Sequence, residues 1–158
     1  MPLTGYLKIE DIPGESQRAG HEDEIDVWGM QFDVRQMAGQ QIGRGRARAR
    51  ADIDPLVVHK AVDASSPYLA DAVWRGKAFP EVTLAVARTS GETSLDYLVI
   101  TMENVTVTAC GFGNEQPGGE DETVFERVEL EFEKVSLRYT RQNQGGLPDA
   151  EHEVELGG

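Results

Sequence analysis

Apolar residues alternate with polar ones along most of this chain and recur at helical spacing only once. Leu7 and Ile9 mark a first strand within residues 6–12, which Pro13-Gly14 ends. The polar stretch 15–23 reads as loop. Extended character resumes over residues 25–32, with Ile25 and Val27 on one face and Trp28, Met30 and Phe32 on the other. Both sides of that strand therefore have something to bury. Residues 36–45 show no period and predict a long exposed loop. Beyond it Arg44, Arg46, Arg48 and Arg50 alternate with Gly45, Ala47, Ala49 and Ala51. A period of two places the four guanidinium groups on one face of a strand, whereas a helix would scatter them. That strand is expected to run through Ile53 towards Val58, with Pro55 marking an edge or a bulge.

The single helical signal follows Ser65-Ser66-Pro67, which offers a serine cap and then proline at the first helical position, where its missing N–H costs nothing. Leu69, Ala72 and Val73 supply an apolar stripe, and Gly76 is placed to end a helix of about three turns.

From residue 81 onwards the pattern is β. Val82, Leu84 and Val86 alternate, and residues 89–92 turn. Leu98, Ile100 and Met102 share one phase, Val105 and Val107 the other, so a bulge or bend is predicted at Glu103-Asn104. The glycine-containing stretch 111–119 reads as loop. A last strand over residues 124–140 repeats the device: Val124, Val128, Leu130 and Phe132 lie in one phase, Val135, Leu137 and Tyr139 in the other, with Lys134 at the join. Drawn straight, that strand would reach about 56 Å, which a small domain accommodates only by coiling or bending it. Residues 143–158 hold little to bury beyond Leu147, Val154 and Leu156 and predict an acidic, flexible tail after a β domain spanning residues 1–142.

Composition narrows the function classes. With 158 residues the chain suits one domain. It has no run of about 18 apolar residues, so no membrane insertion by a helix is expected. The N-terminus lacks the basic and apolar regions of a signal peptide. Cys110 is the only cysteine, which excludes an intrachain disulfide and thiolate clusters, and its alternating surroundings suit a small buried hydrophobe. The net charge of −13 is concentrated at one end, since residues 89–158 carry 15 of the 28 acidic groups and four of the 15 basic ones. Such a surface repels nucleic acid and anionic membrane. Residues 34–51, by contrast, hold five arginines and no acid. A molecule with separated blocks of opposite charge can meet copies of itself head to tail.

Three segments resemble the haemolysin-coregulated protein (Hcp) family, the inner-tube proteins of type VI secretion systems. The first holds Gly14-Glu15-Ser16 and residues 21–27. The second, which is the most specific, holds Lys60, Asp63, Ser65-Ser66-Pro67, Leu69, Ala72, Gly76-Lys77 and Phe79. The third runs through Tyr97-Leu98, Ile100, Val105 and Val107 to Val128, Leu130, Phe132, Lys134, Val135 and Tyr139-Thr140. Together they cover roughly residues 3–142. The resemblance implies a mainly β fold, a closed β-barrel of two curled antiparallel sheets with one short flanking α-helix. It further implies homohexameric rings stacked into a tube inside a contractile sheath, with spike and effector proteins as partners. Such a protein waits in the bacterial cytoplasm and leaves the cell without a signal peptide. In that family Asp63, Ser65, Ser66, Pro67, Leu69, Gly76 and Phe79 are structural, and no cofactor or metal is implied.

Candidate chemistry is weighed against that background. Four like charges on one face repel unless countered, so the arginine stripe is expected to meet acids of a neighbouring subunit, with Glu129, Glu131 and Glu133 as candidates on one strand face. His21-Glu22-Asp23-Glu24 does not read as a metal site, because adjacent residues point in different directions and His59 and His152 are isolated. Ser65 and Ser66 are better explained as a helix cap than as nucleophiles, and no catalytic constellation is found. The competing functions are a β-barrel binding or adaptor module that does not polymerise and, more remotely, an acid-surfaced hydrolase.

Overall fold

The structure is a computed structural model that describes residues 3–36, 51–90, 93–114, 118–120 and 123–157. Its strands are β1 (Thr4–Ile9), β2 (Ile25–Val27), β3 (Gly29–Gln31), β4 (Val34–Gln36), β5 (Ala51–Ile53), β6 (Leu56–Ala61), β7 (Ala78–Ser90), β8 (Thr93–Gly113), β9 (Phe125–Glu131), β10 (Lys134–Gln142) and β11 (Pro148–Gly157). One helix, α1 (Ser66–Arg75), accompanies them among the described residues. The fold is mainly β with one short helix, as expected.

Nine strands form one antiparallel sheet in the order β2-β1-β7-β8-β9-β6-β3, with β10 branching from β8 and β11 from β10. The order begins and ends on consecutive pieces of one segment, β2 and β3, which meet at Trp28. The Trp28 amide donates to the His59 carbonyl at 2.9 Å, and its own carbonyl accepts from the Leu3 amide at 2.9 Å. Trp28 thus bonds to the chain on both sides, and the expected single strand 25–32 is split because its halves pair with different partners. The wall is one continuous sheet rather than two, because β8 carries on through its own bend.

That bend is where the change of phase predicts it. Asn104 adopts φ 53°, in the left-handed region that asparagine tolerates better than most residues. On one edge of β8 the partner changes there, from β10 before the bend to β9 beyond it, while β7 pairs with β8 on both sides, as far as Ala78↔Thr106. The expected strand 124–140 is two strands, β9 and β10, separated at Phe132-Glu133. The 111–119 stretch begins as strand, since β8 extends to Gly113 against Phe125.

The helix is bounded as predicted but not capped as predicted. Pro67 lies in its first turn and Gly76 ends it at φ 62°, with the Lys77 amide donating to the Ala72 carbonyl at 3.0 Å. Ser65 occupies the cap position without a side-chain cap bond; its hydroxyl donates to Asp63 instead. Leu69 and Ala72 are buried in the barrel core with Leu7, Phe79, Ile100, Met102 and Leu130.

The acidic segment expected as a tail is largely strand. β11 pairs with β10 from Lys134↔Gly157 to Thr140↔Glu151. A Cβ on Gly157, at φ 87°, would stand 2.5 Å from the Glu133 carbonyl, so the end of β11 seats against the corner only as glycine. β4 and β5 form a separate two-stranded sheet that flanks residues 37–50, joined by an ion pair between Arg35 and Asp54.

Candidate functional site

Residues paired directly across neighbouring strands share a sheet face, and one such row runs across six strands: Ile25, Leu7, Leu84, Ile100, Leu137, Val154. Its inner members form the barrel core; Ile100 is 1% exposed. Along β10 and β11 the same face comes into the open. Leu137 is half-buried, and Val154 is 57% exposed. The adjacent row behaves alike, from buried Val86 to exposed Tyr139 and His152. The core face therefore continues onto β10 and β11, where Val135 is still buried and Leu137 and Leu156 pack against the core, while Tyr139 and Val154 stand open.

Acids occupy the other face of these two strands. Glu155 pairs with Lys134 at 2.8 Å, and Glu153 accepts from the Ser136 hydroxyl at 2.8 Å. β11 pairs only with β10 among the described residues, which leaves a ten-residue edge open. Short strands, bulges and charges blunt such edges, and β11 relies on charge.

A second unpartnered surface lies beyond the corner. Trp28 stacks on His59 (ring centroids 5.4 Å apart) and meets Phe125 edge-on at 5.5 Å. With Phe112, 51% exposed, they line a groove of about 330 Å³ that Gly111 and Gly113 leave open. A Cβ at either glycine would have no heavy atom within 4 Å. Among the described residues the Trp28 Nε1 donor is buried without a hydrogen-bond partner.

Between β6, β9 and α1 sits a buried ionic cluster. Lys60 and Glu126 are 0% and 1% exposed, directly opposite one another in register, with Nζ 2.5 Å from Oε1. Lys60 also reaches Asp63 at 2.9 Å and donates to the Ala61 carbonyl at 2.9 Å. The Ser66 hydroxyl donates to Glu126 at 2.6 Å and accepts from the Asp63 amide at 2.9 Å. Asp63, Ser65 and Ser66 thus tie the helix start to the barrel wall, with Pro67, Leu69 and Gly76 setting the helix and Phe79 buried in the core. Cys110 donates to the second Glu126 oxygen at 3.2 Å. Burial first, and that carboxylate second, push its thiol up to about 12.

Sequence reasoning did not single out Glu126. The signal was present: Glu126 shares phase with Val128 and Leu130, as Lys60 does with Leu56 and Val58. A charge in phase with core residues points inwards.

Of the residues expected at an interface, only the acids are among those described. Arg44, Arg46, Arg48 and Arg50 lie outside the described residues. Glu129 pairs with Arg127 at 2.9 Å, Glu131 is exposed on the same outer face of β9, and Glu133 has left that face for the corner. His21 bridges two carboxylates, Nδ1 to Glu24 and Nε2 to Asp96, both at 2.8 Å, and stacks on Tyr6 with centroids 4.2 Å apart. It pins the loop after β1 onto β8. No helix among the described residues is long and apolar enough to cross a membrane.

Comparison with known proteins agrees with the sequence resemblance. The family model described as "Type VI secretion system effector, Hcp" matches residues 6–139. Protein hcp1 of Pseudomonas aeruginosa is 32% identical over 149 residues, 94% of this chain and 90% of that protein. The Major exported protein of the same organism is 26% identical over 151 residues, covering 93% and 87%. Among solved structures, a type six secretion system protein superposes with a TM-score of 0.87 at 21% identity, covering 98% of this chain and 95% of the other. Hcp1 from Salmonella typhimurium gives 0.78 at 24% identity, covering 99% and 95%, so these two show the shared fold.

Proposed function

This chain belongs to the Hcp family of type VI secretion proteins, a structural and non-enzymatic family, and on that premise we propose that it is a tube subunit whose copies close into hexameric rings that stack end to end. The observation that carries this reading is the core face that runs out onto β10 and β11 and ends in solvent at Val154 and Tyr139. A monomer rarely leaves a continuation of its own core uncovered beside an open strand edge. A ring covers both, because each copy supplies a surface to the next.

In this reading the protein is held in the bacterial cytoplasm, meets sheath and spike components, and is exported with effectors. Light scattering coupled to size exclusion, with negative-stain microscopy, tests the assembly. The expected species has six times the 17.4 kDa chain mass and appears as a ring. A clean monomer across micromolar concentrations would instead favour a barrel that serves as a binding module and does not polymerise.

A further inference from the structure

We infer that the cavity between the loop after β1 and the outer face of β10 binds a phosphate group, held by Arg18, Arg138 and Thr140. The cavity measures about 410 Å³ and is lined by the turn at residues 18–21, the start of β8 and the facing ends of β10 and β11. Arg138 and Thr140 alternate with Leu137 and Tyr139 along β10, so they stand on the face turned away from the core. The site lies within one chain and does not depend on the ring reading.

The chain holds 28 acidic groups against 15 basic ones, so its arginines have acids in excess to pair with. Yet among the described residues neither the Arg18 nor the Arg138 guanidinium makes an ion pair or a hydrogen bond. Arg138 is half-buried, and its Nε is buried without a partner. That atom is out of a ligand's reach, but it marks a charge taken partly out of water with nothing to balance it. Thr140 is 5% exposed and lines the same cavity, and its hydroxyl makes no hydrogen bond among the described residues; buried hydroxyls are ordinarily paired. The nearby acids are engaged or exposed. Asp96 is held by His21 Nε2 at 2.8 Å. Glu153, opposite Arg138 in register, accepts from the Ser136 hydroxyl instead. Glu151 stands exposed at the rim. His21 also ties the walls together, since its amide donates to the Arg18 carbonyl at 2.9 Å while its ring grips Asp96 on β8. The donors are therefore set in place before a ligand arrives. A carboxylate is filled by one guanidinium fork, whereas a phosphate has oxygens for two and for a hydroxyl besides.

Isothermal titration calorimetry of the full chain, at fixed ionic strength in a chloride buffer, tests the site. Inorganic phosphate and glycerol 3-phosphate are the two probes, and the tighter one tells whether the free ion or a phosphate ester is the source. Succinate, which offers only carboxylates, should bind about tenfold more weakly than that probe. Arg138→Gln should weaken the tighter probe about tenfold or more, and Thr140→Val, which keeps the shape and removes the hydroxyl, about fivefold. Glu151→Gln should tighten binding by removing a like charge from the rim. Arg75→Gln, on the exposed side of α1, controls for net charge and should change nothing. Circular dichroism confirms folding, and Arg18→Gln, on an exposed loop, replaces Arg138→Gln should that variant unfold. The site is overturned if neither probe binds, if succinate binds as tightly, or if Arg75→Gln loses as much affinity as the cavity variants. Affinity that survives both the arginine and the threonine substitutions overturns it as well.

Discussion

Asn104 and Glu133 join the two corners of the barrel: the Asn104 side-chain amide donates to a Glu133 carboxylate oxygen at 2.7 Å. Behind that bond the Glu133 amide donates to the Glu103 carbonyl at 3.1 Å. The bend in β8 and the break between β9 and β10 are therefore one corner seen on two adjacent strands. Both surfaces left open among the described residues lie beside it, one on each side.

Replacing Asn104 tests the corner. Alanine at φ 53° should cost about 1–2 kcal/mol for the left-handed backbone, with little more from an exposed hydrogen bond. Asn104→Gly should recover most of that loss, since glycine enters this region freely. Urea unfolding of the two variants checks this; equal stabilities would remove backbone strain from the account.

The buried ion pair should behave asymmetrically. Lys60→Met strands Glu126 in the core and is expected to cost about 3–5 kcal/mol. Lys60→Met with Glu126→Leu should recover much of it, because neither charge is then left alone. A double variant as unstable as the single one would mean that the surrounding hydrogen bonds, and not the charge balance, hold this site.

Cys110 gives a pH signature. Its thiol ordinarily ionises near 9.0 and is pushed up to about 12 in the fold. The folded chain thus keeps a proton that the unfolded chain loses, and the unfolded state gains from ionisation first. Stability should fall between about pH 9 and pH 12 more steeply in wild type than in Cys110→Ala, as read from urea midpoints across that range. Parallel pH profiles for the two proteins would contradict the raised thiol.

The arginine stripe remains a proposal about stacking. Arg44→Glu with Arg46→Glu should impair tube growth while leaving single rings folded. Exposed pairs contribute only about 0–1 kcal/mol each, so the effect depends on copies acting together and should weaken as salt screens it. Tubes that grow equally well in the double variant at low and high salt would take this segment out of the stacking interface.

Much of the fold was legible because it is written in local periods. The alternation at Val82, Leu84 and Val86, the helix bounded by Pro67 and Gly76, and the phase change at Asn104 each need only neighbours in sequence to be seen. What escaped depends on distant partners. β11 carries few apolar residues and is ordered by pairing with β10 and by the fit of Gly157 at Glu133. The split at Trp28 follows from pairing with Leu3 on one side and His59 on the other. The uncovered surfaces were hidden for a related reason. Leu137 and Val154 follow the same apolar pattern as buried Ile100, and alternation does not say where cover ends.

The pairing of Lys60 with Glu126 also decides how the barrel may be misassembled. Alternation forbids a slip of one residue between β6 and β9, since every side chain would change face. A slip of two keeps apolar residues inside and passes unnoticed by hydrophobicity. It would, however, bring Lys60 opposite Val124 or Val128 and leave two buried charges without each other. Sixty-six residues apart in sequence, the pair acts as a key that fits the seam in a single alignment, in a sheet whose small aliphatic residues would otherwise accept several.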